Sequence, residues 1–104
     1  MDYEFSANCD LRNIAPFWRK IGDLIDGGIS EEEVTHIERF AYSVKDNSHD
    51  VIQMSFSFQS ARCELAFAIK VDNQSPEMLI LSDSQQLIDA ITEKHHELCN
   101  ELGI

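Results

Sequence analysis

The chain predicts an α+β domain with the element order α-α-β-β-β-α. The three strands form an antiparallel meander and the helices pack mainly on one face. Two observations carry this expectation. Apolar residues recur at spacings of three and four over residues 13–44, and again towards the C-terminus, which is the helical period. Over residues 52–71 the period falls to two, as in strands with one buried face. A length of 104 residues fits one domain, 1–104, with one modest core.

The elements follow in order. Tyr3 and Phe5 alternate with acids, so residues 1–12 fit either a short edge strand or an anchored tail. A first helix is expected from Asn13 to Asp26: Asn13 can cap it, Pro16 falls in the first turn, and Gly27-Gly28 stop it. Its apolar face is Ile14, Phe17, Trp18, Ile21, Leu24 and Ile25. Ser30-Glu31-Glu32-Glu33 reads as a capping box opening a second helix over Glu31–Val44, with Val34, Ile37, Ala41 and Val44 turned inward. Ile52, Met54, Phe56 and Phe58 alternate with polar residues, as do Cys63, Leu65, Phe67, Ile69 and Val71 with Arg62, Glu64, Ala66, Ala68 and Lys70. The chain must reverse near Gln59–Ala61, although Asn-Gly is missing there. The loop Asp72–Pro76 leads to Met78–Leu81, apolar on both sides and therefore covered on both faces or central. Asp83, with Gln86 three residues on, caps a last helix whose inner stripe is Leu87, Ile88, Ile91, His95, Leu98, Cys99 and Leu102, ended by Gly103.

Charge is the outstanding property. Nineteen acidic residues face eight basic ones, a net −11, where a magnitude of ~2–8 keeps a small domain soluble. Clustered Lys and Arg are missing, which disfavours nucleic acid and anionic membranes as partners and favours a basic protein. Asp89, Glu93, Glu97 and Glu101 follow one another at i, i+4 and form a carboxylate ridge on the last helix. Each like-charge neighbour at that spacing costs the helix ~0.2–0.5 kcal/mol. A solvated face is the plain explanation of this ridge, and a docking ridge for a basic groove is the functional one. Glu31, Glu32 and Glu33 are the second candidate group, although acids at a helix N-terminus also serve the helix itself. The far face of the sheet, with Ser55, Ser57, Ala66 and Ala68, is expected to be solvated, covered by residues 1–12, or a contact surface.

No catalytic, metal or cofactor site is expected. His95 and Cys99 stand four apart on one helix, but a structural zinc site needs four ligands, and His36, His49 and Cys9 complete no known spacing. As nucleophile and base the pair lacks an orienting Asp or Asn. The three cysteines fit reduced thiols in a cytoplasmic protein, and neither a signal peptide nor a membrane span is visible.

In size, acidity, α+β pattern and want of an active site, the chain resembles the immunity proteins that bacteria make against their own nuclease toxins. That resemblance implies a cytoplasmic monomer or weak dimer that neutralises a basic toxin domain, its carboxylates standing in for nucleic-acid phosphate. A second resemblance is to secretion chaperones or adaptors, which are generally longer and dimerise through apolar surface. A small enzyme is the third alternative, and no residue pattern names its reaction.

Overall fold

The computed structural model describes residues 1–104. It contains β1 (Tyr3–Asn8), α1 (Ile14–Gly22), α2 (Glu31–Ser43), β2 (Ser48–Phe58), β3 (Ala61–Asp72), β4 (Ser75–Ser82) and α3 (Gln85–Leu102). The class is α+β, and β2-β3-β4 form the expected antiparallel meander. The three-stranded count and the order α-α-β-β-β-α are corrected, because β1 adds a fourth strand and the sheet order is β1-β4-β3-β2. Residues 3–8 thus extend the sheet at its edge and do not cover its far face. The physical reason is Phe5, which is buried against Phe17 and His95, with ring centroids 5.9 and 5.1 Å away. Six residues with one buried side chain give too short a pattern to read alone. β4 is central, one of the two places its doubly apolar run allows.

All three helices pack on one face of the sheet. α1 lies between α2 and α3 and carries Ile14, Phe17, Trp18 and Ile21 into the core against Leu65, Phe67, Ile69 and Ile80 of the sheet. Trp18 is fully buried and meets Phe67 edge-on at 5.1 Å. α1 is shorter than its apolar face suggests. It begins at Ile14 after a 3-10 turn, Leu11–Asn13, and ends at Gly22. Asn13 makes no capping bond; Asp10 caps the preceding turn by accepting from the Arg12 N–H. Gly27 and Gly28, at φ 80° and 75°, shape the loop to α2 several residues beyond the helix end.

The strand connections are tighter than expected. Both hairpins turn on two residues, Gln59-Ser60 and Asn73-Gln74, all four at positive φ. That geometry matches the twist of the strands but suits Gly or Asn better than Gln or Ser. Side chains from elsewhere hold the turns. The Asp26 carboxylate accepts from the Ser60 N–H at 2.8 Å and the Ser57 hydroxyl at 3.1 Å. Asn47 and Asp46 accept from the N–H groups of Asn73 and Gln74. Ser60→Gly, which keeps the Asp26 contact, should raise stability by about 0.5–1 kcal/mol, read as a higher urea midpoint with unchanged slope.

α3 is capped by Ser84, whose hydroxyl accepts from the Leu87 N–H at 3.2 Å. Asp83 is not the cap; it reaches across to β3 and accepts from the Glu64 N–H at 3.0 Å. Gly103, at φ 74°, ends the helix as expected. Leu102 is corrected from core to surface, being 46% exposed.

Candidate partner-binding surface

α3 places the ridge Asp89, Glu93, Glu97 and Glu101 on its exposed face, because Leu87, Ile88, Ile91 and Leu98 claim the other. Tertiary pairing then divides the ridge. Lys20 of α1 bonds Glu101 at 2.7 Å and stands 4.0 Å from Glu97, and Lys94 reaches Glu97 at 3.3 Å. The bond to Glu101 raises the Lys20 pKa. Asp89 and Glu93 have no cation, so the free negative charge lies on the first half of the helix.

The group on α2 divides in the same way. Arg19 of α1 bonds Glu31 at 3.1 Å, and that bond raises the Arg19 pKa. Ser30 accepts from the Glu33 N–H at 3.2 Å, so one half of the capping box closes. Glu32 and Glu33 are exposed and without a cation. They border a groove of about 290 Å³ between α2 and β2, where His36 and Ile37 face Ile52, Gln53 and Met54. α1 thus ties down one part of each acidic group and leaves the rest free on either side of it.

Four aspartates that add to the negative total do local work. Asp10, Asp26 and Asp46 each accept a backbone N–H at a turn or cap, and Asp83 accepts one from Glu64 in β3. Arg12, bonded to Asp10 at 2.6 Å, holds that carboxyl down at about 2.

A cavity of about 80 Å³ at the junction of β1 and α3 is lined by Cys9, Phe17, Met78, His95, Leu98 and Cys99 among others. The Cys99 sulfur lies 3.8 and 3.7 Å from the two ring nitrogens of His95. It therefore rests against the ring and is aimed at neither nitrogen. Burial, with Asp10 and Glu77 nearby, pushes the Cys9 thiol up to about 11, against the formation of a thiolate. No three His, Cys, Asp or Glu side chains converge in a way that could hold a metal ion. Burial, and secondarily His96, lowers the His95 pKa below its ordinary 6.5. The folded state then binds fewer protons there than the unfolded chain. Stability is complete above pH 6.5 and is lost as pH falls towards the lower folded value. His95→Phe, which keeps the packing on Phe5 and Phe17, should flatten that fall in thermal melts taken at stepped pH.

No known protein family, no characterised protein and no solved structure matches this chain.

Two features of the surface follow from sheet order. The far face is open and mixed: Val51 is exposed, Ala66 is buried beneath its neighbours, and Leu79 and Leu81 are half-buried. β2 is an edge strand, with β3 as its only neighbour. The sequence marks β2 as a strand and places neither Lys nor Pro over residues 48–58. No helix is long and apolar enough to cross a membrane.

Proposed function

We propose that the protein is an acidic binding protein that neutralises a basic protein partner, acting as an immunity protein against a toxin domain, most simply a nuclease. The supporting observation is the surplus of unpaired carboxylates on rigid elements. Six of the 19 acidic side chains are in ion pairs; Glu32, Glu33, Asp89 and Glu93 are among those left free and exposed on helices. Such charges, fixed in place, steer a cationic surface into register and repel acidic competitors, which raises the association rate more than it slows release. A nuclease domain presents the cationic surface that phosphate contacts require. No step of chemistry in this protein is needed; the protein works by occupying its partner, as a monomer or a weak dimer and without a cofactor.

The experiment is direct. The open reading frame beside this one supplies the first partner to assay. Cells expressing its basic domain should grow only when this chain is co-expressed. The purified pair should associate at least ~tenfold more slowly in high salt than in low. A salt-independent rate, or unrelieved toxicity with every cationic neighbour, refutes the proposal.

A further inference from the structure

We infer that the open edge of β2 is a docking site for an extended, lysine- or arginine-bearing segment of a partner protein, which adds to the sheet as a fifth strand. The inference rests on the partner being basic, as proposed above, and adds where and in what conformation it binds.

The backbone carries the first argument. The Ser57 C=O points away from β3 and accepts from the Asp26 N–H at 2.8 Å. Residues of one parity in an antiparallel strand turn N–H and C=O to the same side. Ser55, Gln53, Val51 and His49 therefore present their backbone groups outward too. Val51 agrees, its N–H being bonded to the adjacent Asp50 carboxylate at 2.8 Å. The loop at Asp26 blocks one end of this row, and the rest has no strand neighbour. Edge strands are normally blunted by Lys, Pro, a bulge or shortness. β2 runs eleven residues in unbroken register with β3, has no Lys, Arg or Pro, and has Asp50 as its one acid.

The side chains carry the second. On the helix side of the edge, Ile52 and Met54 are half-buried and floor the groove, with Glu32 and Glu33 above them. A strand added beside β2 sends alternate side chains into this groove. A lysine or arginine there lays its aliphatic stem on Ile52 and Met54 and brings its charge to Glu32 and Glu33. An acidic segment meets repulsion, and a purely apolar one leaves those carboxylates facing a dry surface. The fitting occupant is therefore an extended segment with a cation at every second position.

The probe is a synthetic peptide alternating Lys with Thr and Val, added to the full chain at low salt. It should bind saturably and protect the amides of Val51, Gln53 and Ser55 from hydrogen exchange. The same peptide with Glu for each Lys should not bind. Gln53→Pro removes an outward N–H without touching the ladder to β3, and Glu32→Gln with Glu33→Gln removes the charge; each should weaken binding at least ~tenfold. A peptide N-methylated at alternate residues should lose binding to the unaltered protein, which tests the backbone contact without any mutation. Binding insensitive to N-methylation, or protection that falls on α3, overturns the β2 site while leaving the acidic-surface reading in place. So does self-pairing of two copies along β2 that excludes the peptide. Indifference to every cationic probe removes both.

Discussion

Trp18→Ala should lower the free energy of unfolding by about 3–5 kcal/mol, a large part of the ~5–15 kcal/mol typical of a domain. Trp18 is the largest fully buried side chain, and it sits on the helix that both other helices pack against. Its removal strips Phe67 of an edge-to-face partner and opens a cavity beneath α1. Trp18→Phe gives the internal control. The Trp18 Nε1 is the one buried side-chain nitrogen or oxygen without a hydrogen-bond partner. Phenylalanine keeps a ring against Phe67 and relieves the unpaired N–H, itself a cost of about 1–3 kcal/mol. The phenylalanine variant should therefore lose no more than about 1–2 kcal/mol. Urea unfolding followed by far-ultraviolet circular dichroism decides the matter. Equal losses for the two variants contradict the packing described for α1.

Asp89→Lys combined with Glu93→Lys should slow association with the cationic partner at least ~tenfold and leave the melting temperature within a few degrees. Both residues are exposed, and neither makes an ion pair in the folded protein. Reversal of Glu97 and Glu101 should behave differently. It breaks the bond to Lys20 and places four like charges between α1 and α3, so it weakens the fold as well as slowing binding. Stopped-flow rates across a salt series separate the effects: the Asp89–Glu93 penalty should shrink as salt rises, because it is a long-range term. A double variant that associates at the parental rate reduces the ridge to solvated surface.

The hydrophobic period disclosed the helices and the hairpin meander, because each is written in neighbouring residues; for Met78–Leu81 it left a doubly covered or a central strand open, and the sheet order decides for the central one. What stayed hidden depends on distant ones. β1 is a strand because Phe5 finds Phe17 and His95. The tight turns at Gln59-Ser60 and Asn73-Gln74 lack a turn signature because Asp26, Asp46 and Asn47 hold them from outside. Asp83 and Ser84 are both good caps, and only the pull of the Glu64 N–H on Asp83 decides between them.

The candidate site shows the same division. The i, i+4 spacing located the ridge correctly on a solvent-facing helix side. The spacing could not reveal that Lys20, 81 residues from Glu101, neutralises its far end. A bare charge total also merges two populations. Asp10, Asp26, Asp46 and Asp83 reach nearby N–H groups through short side chains, whereas Glu32, Glu33 and Glu93 stand clear of the backbone on longer ones. The expected meander already places β2 at an edge, and that edge stays open because β1 pairs with β4 on the opposite side of the sheet.

That placement of β1 has a consequence for synthesis. Tyr3 pairs with Ser82 and Asn8 with Glu77, so β1 hydrogen-bonds only to a strand synthesised after the whole of α1, α2, β2 and β3. The hairpins of β2, β3 and β4 close locally and can form as they emerge, while β1 waits across a long loop closure. A nascent chain halted before β4 would leave Phe5 without its shelter, and a protein in this state is an early target for chaperones or proteases.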